Sequence, residues 1–442
     1  MSAAHVADAG SYTAFAGESG RRPLWPLVTI VFFCCLSAVA KPIVLTVFGS
    51  TLLLAAVIVI LGSNQRIDAR LWHIMVPFTL ILCTGLVTGL GADRYDYFKD
   101  AWYIVNPALV ILTGYVLFKA RPDLAAGLKA FLWGGLIVGL WQARGYAYDP
   151  TLILLSAVSI RERIGTGLYP PVLAMVILLV MAGRWRESLR LPAWWGATLL
   201  LTVSLTVAGV FSRTAWMIAM VALAAWAGCF ARQEWMRLGA PAAILLTASM
   251  LLESMLWSAG ALELDSFLGK LLNGFREIAF TDTASIREIN INFRGFESAQ
   301  ALKQVAAGST AQIIFGQGFG TLIDLGIFIP LGGFEGGMPI AVRRIPVLHN
   351  GYMYLLVKGG VVALLLYAYV LGYLYFVGRR WAGVAPTDPR RRLGRLLQAL
   401  VVTLAATTYV IGGVFNKNDM YAFLLCTGYL LAALESTDAQ AS

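Results

Sequence analysis

Three positions combine charge with the start of an apolar run. Arg161 and Arg163 precede one such run, Arg213 opens another, and His349-Asn350 opens a third with Arg343 and Arg344 just before it. A helix N-terminus carries about half a positive charge and several unpaired N–H groups. Arginines at several such ends make an anion-attracting pocket. Diphosphate is its natural guest, because a guanidinium binds it through paired hydrogen bonds. Each residue also has a structural explanation. Arg161 and Arg163 can anchor at a membrane interface. Ser212 can cap the helix that Arg213 begins, and Asn350 can cap the one after His349. Arg343 and Arg344 can be solvated loop residues, and His73 reads as an interface residue.

For these ends to share a site, the runs behind them must be membrane helices. The 442 residues are 59% hydrophobic and only 13% charged, whereas a soluble domain carries roughly 25% charge. Spans of roughly 20 apolar residues are predicted near 24–40, 42–62, 72–91, 101–119, 125–144, 166–183, 194–210, 213–230, 239–259, 349–377, 395–414 and 417–434. The net charge of +10 collects in alternate connections, including Arg66, Arg70, Lys119, Arg121, Arg184, Arg186, Arg379 and Arg380. That is the pattern of cytoplasmic loops rather than of nucleic-acid binding. With both termini on that side, residues 1–23 and 435–442 are cytoplasmic tails, and residues 24–259 and 349–434 hold the spans. The candidate charges then face the other side. Arg21-Arg22 followed by an apolar stretch and Ala38-Val39-Ala40 also fits a signal peptide; a retained first span is the expectation.

The connection 260–348 is long and lies on the non-cytoplasmic side. Leu268, Leu271, Leu272, Phe275 and Ala279 share one helical face. Ile286, Ile289, Phe293 and Phe296 share another, opposite Arg287, Glu288, Arg294 and Glu297. These helices are expected either on the membrane surface or in a small self-packed domain. Gly316–Gly320 and Gly332–Gly337 read as turns. No strand–helix unit surrounds Gly316–Gly320, so it is a poor nucleotide loop. Lys358 lies about 13 Å into its helix, where it is either functional or a structural counter-charge. The five cysteines and three histidines form no metal or disulfide pattern.

The stretch from Arg343-Arg344 through His349-Asn350 to Gly360 resembles the signature of the O-antigen ligase family, in which His-Asn is followed by nine residues and a glycine. Ser212-Arg213 resembles that family's Ser-Arg segment opening a span. Arg294, Ala299, Ala301 and Phe315–Gly320 resemble its outer-loop Arg-to-Gly-x-Gly stretch, with Ser298 standing near where the family carries an aromatic residue. The resemblance covers roughly residues 195–380 and extends to O-antigen polymerases and O-linked protein ligases. It implies an all-α, GT-C-like membrane protein of about twelve spans in the bacterial inner membrane, with a periplasmic active site. It further implies metal-independent, inverting transfer, without cofactors, of polysaccharide from undecaprenyl diphosphate to lipid A–core. His349 would be the general base. Arg161, Arg163 and Arg213 would hold the diphosphate, Arg213 counting with His349 as catalytic, and Arg343, Arg344 and Asn350 would contact substrate. A transporter of lipid-linked sugars is the competing class; its charges would lie near the midplane in repeated halves.

Overall fold

The structure is a computed structural model that describes residues 23–39, 69–154, 160, 163–164, 168–210, 212–230, 289, 292–331, 340–385, 388, 390–415 and 420–441. The predicted spans near 42–62 and 239–259, the first amphipathic stretch of the long connection, and Gly332–Gly337 lie outside these residues. The described chain is mostly helical. Five helices are long and apolar enough to cross a membrane: α2 (Ala69–Thr88), α3 (Arg94–Ala120), α4 (Leu124–Tyr148), α11 (Gly351–Ala382) and α12 (Arg390–Ile411). Shorter apolar stretches lie in α1 (Trp25–Val39), α5 (Tyr169–Val180), α7 (Ala193–Gly209), α8 (Arg213–Ala227) and α13 (Tyr421–Ala441). A single turn, α6 (Trp185–Ser188), links α5 to α7.

Local chemistry sets the helix starts. Asp93 accepts from the Tyr95 and Asp96 N–H groups ahead of α3 at 3.0 and 3.3 Å. Asp123 accepts from the Ala126 N–H in α4 at 3.2 Å, and Ser212 from the Ala215 N–H in α8 at 3.4 Å. Each such cap stabilises its helix by about 1 kcal/mol. The sequence ends the last span at 434 because Glu435, Ser436 and Asp438 follow. No helix breaker lies among them, however, and α13 runs on through 441 with Glu435 buried. The tail expected at 435–442 is thus helical as far as Ala441.

Hydrogen bonds fix which helix ends meet. Arg392 donates to the Val180 carbonyl at the end of α5 at 3.2 Å, and Arg395 to the Trp226 carbonyl at the end of α8 at 2.7 Å. Arg121, after α3, donates to Pro23 O ahead of α1 at 2.9 Å. The α13 residue Tyr429 donates to Asp123 O at 2.9 Å. These contacts make one basic end. Both α8 and α11 pack on α12 and run antiparallel to it: Gly378 of α11 meets Gly394 and Gln398, while Gly351 meets Thr408 and Gly412. The N-termini of α8 and α11 therefore both point to the opposite end of the bundle.

The described part of the long connection packs onto that end. Helix α9 (Phe293–Ala306) contacts α11, and α10 (Thr310–Phe315) packs on α2 and α11. Phe296, Val305, Phe319 and Ile345 join the same apolar core as the bundle, so this segment is not a self-packed domain. An antiparallel hairpin follows, β1 (Ile323–Leu331) with β2 (Ile340–Ile345), in which Ile323 faces Ile345 and Asp324 faces Arg344. This hairpin is a small sheet in a chain that is otherwise mostly helical, consistent with the all-α expectation. Isoleucines dominate both strands, as suits a pleated surface.

The segment 316–321 is stitched into a break in α11. Gln317 and Gly318 N–H donate to the Val357 and Lys358 carbonyls at 2.8 and 3.2 Å, and Phe319 N–H to Gly85 O at 3.0 Å. Those α11 carbonyls are free because Gly360 leaves the helical conformation at φ 68° and ψ −167°. A Cβ at Gly360 would stand 2.3 Å from Ile314 O, and its positive φ favours glycine in any case. Behind the loop, Asp100 accepts from Lys358 Nζ at 2.6 Å, Tyr354 OH at 2.8 Å and Gly320 N–H at 2.7 Å. Lys358 also donates to Thr321 O. Both charged side chains are fully enclosed. Lys358 is thus the structural counter-charge, and it pins loop, α3 and α11 together.

Candidate functional site

The end of the bundle where α8 and α11 begin carries a carboxylate–imidazole pair. Glu297, on α9, is buried, with its side chain 3% exposed, while that of His349 is 37% exposed. One carboxylate oxygen, Oε2, lies 2.9 Å from His349 Nδ1 and accepts the His349 backbone N–H at 3.3 Å. Desolvating a carboxylate is costly unless it is hydrogen-bonded, and His349 supplies both bonds. Phe293, one turn earlier on α9, stands edge-on to the imidazole at 6.0 Å between ring centroids. The ring is thus held on two sides and open on the rest.

Asn350 is buried and works within the chain. Its Oδ1 accepts the Tyr352 and Met353 N–H groups at 3.1 and 3.3 Å, capping α11. Its Nδ2 donates to Ser298 Oγ at 3.4 Å, and Ser298 in turn donates to Arg294 O at 2.9 Å. Asn350, from which a substrate contact is expected, here has a positioning role within the chain. It fixes the first turn of α11 and ties it to the helix that carries Glu297.

The arginines divide. Arg213 is the first residue of α8 and partly exposed, at the same end as His349. Arg163 is exposed and lies 3.5 Å from Asp149; Arg161 is outside the described residues. On β2, Arg343 Nε donates to Asp324 Oδ1 at 3.0 Å, and Arg344 Nε lies 3.8 Å from Oδ2. Both remain substantially exposed, at 48% and 66%. The hairpin therefore presents two cations just ahead of His349, Arg343 being the more committed to its carboxylate.

The Asp324 carboxyl is held below its ordinary range, first by the Arg343 hydrogen bond and then by the Gly326 N–H. A depressed carboxyl stabilises the fold above its unfolded pKa, and that contribution is lost as pH falls through the folded value. The hairpin clasp is therefore expected to persist below about pH 3.9, the ordinary aspartate value, and to release in stronger acid. Amide exchange in β1 and β2 followed against pH measures this. Loss of strand protection already at pH 5 would contradict it.

Glu297 is the residue that sequence reasoning placed wrongly, on the solvated face of an amphipathic helix. The buried face of α9 includes Gly295, Phe296, Glu297, Ser298, Ala299 and Ala301. The polar pair Glu297-Ser298 faces inward because His349 and Asn350 receive it. The available signal was the flanking of these two residues by Phe296, Ala299 and Ala301; their partners lie 52 residues away. The glycine loop also has its answer. The Gln317, Gly318, Phe319 and Gly320 N–H groups, which a phosphate would need, are bonded to carbonyls and to Asp100.

What the arrangement can do follows from the imidazole. With Nδ1–H donated to Glu297, the neutral ring presents Nε2 as an acceptor. A hydroxyl brought to Nε2 can lose its proton there as its oxygen attacks an electrophile. Glu297 stabilises the imidazolium that results. No family model matches this chain, and no curated protein matches it.

Proposed function

We propose that the protein is a membrane glycosyltransferase of the O-antigen ligase kind, moving a glycan from undecaprenyl diphosphate to a hydroxyl of lipid A–core at the periplasmic face of the inner membrane. The observation that carries this reading is the Glu297–His349 pair, at the same end of an apolar bundle as Arg213. In the reaction, His349 Nε2 takes the proton of the acceptor hydroxyl. The hydroxyl oxygen bonds to the anomeric carbon from the side opposite the diphosphate. The bond from that carbon to the diphosphate oxygen breaks, inverting the configuration. The departing diphosphate gains negative charge, which Arg213, with Arg161 and Arg163, meets with paired donors. Arg343 and Arg344 face the acceptor's phosphates from the hairpin.

The test is reconstitution of the purified protein in vesicles with a defined polyprenyl-diphosphate glycan and lipid A–core, the covalent product being read by mass. A transporter would move the lipid and join nothing. A polymerase would lengthen the lipid-linked glycan and leave lipid A–core unmodified. In this assay Arg213→Gln is expected to lower turnover by about ten- to a hundredfold, the scale of one charge-assisted hydrogen bond lost in the transition state. Arg213→Lys should recover only part of it, because an ammonium cannot bind in the paired mode. Full turnover in Arg213→Gln would remove this residue from the leaving-group site.

A further inference from the structure

Helices α1 and α4 start together and run the same way. Arg121, just ahead of α4, donates to Pro23 O, just ahead of α1, at 2.9 Å. Further along, a Cβ added at Gly134 of α4 would stand 2.5 Å from the Cys34 Cβ of α1. Lys129 of α4 is therefore level with Thr29, one turn beyond Trp25 where α1 begins. Between the two helices lies an open groove of about 560 Å3. Its walls are apolar, with Leu27, Val28 and Phe32 from α1 and Ala130 and Trp133 from α4. Val28, Phe32 and Trp133 are exposed, on helices of which α4 is long and apolar enough to cross a membrane. The groove therefore faces lipid.

Of the residues lining the groove, Lys129 alone is charged. It is partly buried, and no hydrogen bond or ion pair joins it to a described residue. The carboxylate nearest in sequence, Asp123, is already engaged. It caps α4 through the Ala126 N–H at 3.2 Å and lies 3.7 Å from Arg190. Lys129 sits about 6 Å deeper than Trp25 at the helical rise. Trp25 is exposed, as a residue at the lipid–water boundary is. A lysine at that depth bends its methylenes along the apolar wall and carries its ammonium toward the boundary. An anion there, with hydrocarbon attached, would complete the site.

We propose that the groove binds one anionic diacyl phospholipid from the leaflet at the basic end of the bundle. Its phosphate meets the Lys129 ammonium, and one acyl chain follows the groove from Leu27 toward Cys35. Head and tail are ordered by the ammonium, which reaches toward the helix starts. The charge count sets the lipid class. The lining adds one cation and no anion, so a headgroup with a net negative charge is balanced there. A zwitterionic headgroup brings its own cation and gains little. The site lies at the end of the bundle away from His349, so it stands or falls independently of glycan transfer.

The experiment uses the full-length protein in phosphatidylcholine vesicles containing a minor share of phosphatidylglycerol. Two probes, one of each lipid, carry the same photoreactive group early in one acyl chain, and cross-links are mapped by mass. Within residues 27–35 and 126–133 the phosphatidylglycerol probe should be captured about fivefold more than the phosphatidylcholine probe at equal concentration, the scale of one lysine near a membrane surface. Lys129→Gln should abolish that preference while leaving phosphatidylcholine capture unchanged, and Lys129→Arg should keep it. High salt screens the pair without any substitution and should act as Lys129→Gln does. Val28→Trp, which fills the groove, should lower capture of both probes there. Leu201→Trp, on the exposed face of α7, should change neither. Equal capture of the two probes by the parent protein would make the groove a seat for bulk lipid and overturn the proposal. A preference that survives Lys129→Gln or high salt would do the same. Displacement of the phosphatidylglycerol probe by inorganic phosphate would mark a small-anion site instead and equally overturn it.

Discussion

His349→Ala is expected to lower glycan transfer by about 10²–10⁴-fold, the contribution of a general base, while the protein still inserts and purifies normally. Glu297→Ala should lower it by about a hundredfold, the scale of a misplaced catalytic group. The imidazole would lose its orienting acceptor, and the His349 backbone N–H its partner. Glu297→Gln should fall between Glu297→Ala and the parent, since an amide oxygen can still receive Nδ1–H but offers no charge to the imidazolium. Residues acting as one unit are not additive, so adding Glu297→Ala to His349→Ala should cost almost nothing more. Initial rates in vesicles, with thermal unfolding as a control on each variant, measure all four. Ordinary transfer by His349→Ala, or a double variant that multiplies the two single losses, would end the assignment of the pair.

The second large effect is on the fold. Lys358→Met leaves the enclosed Asp100 carboxylate without its cation, and removing one partner of a buried pair costs about 3–5 kcal/mol. The double variant Lys358→Met, Asp100→Asn removes both charges. Tyr354 OH and Gly320 N–H bond opposite oxygens of Asp100; with its oxygen toward the Gly320 N–H, the new amide can donate its NH2 to the Tyr354 hydroxyl oxygen, so the double should be clearly more stable than the lysine variant alone. Thermal unfolding of the three proteins in detergent orders them. A double variant less stable than Lys358→Met would show that the loop needs the charges themselves. Both variants leave Glu297 and His349 untouched, so residual transfer in the double variant separates loop docking from catalysis.

Sequence reading reached the elements with strong local signals. The apolar runs behind α2, α3, α4, α11 and α12 are long enough to announce themselves, and Ser212 and Asn350 sit where caps belong. The hairpin escaped because Gly326 and Pro330 interrupt the β1 pattern. Glu297 escaped because a charged residue on an amphipathic helix is ordinarily solvated, and only the fold supplies its imidazole. Asp100 stood in an acidic connection ahead of a span; its partner Lys358 is 258 residues away, beyond any periodicity. Lys358 itself was visible as an anomaly, but which of its two readings held depended on that distant carboxylate. Local chemistry writes helix starts into the chain, whereas pairs across the bundle are legible only once it has folded.

That separation of 258 residues bears on how the chain is made. Asp100 emerges from the ribosome long before the lysine that will neutralise it. Until then Asp100 has none of the three partners, Lys358, Tyr354 and the Gly320 N–H, that enclose it in the folded bundle. Arrival of the C-terminal helices is then the event that completes the burial of this turn of α3.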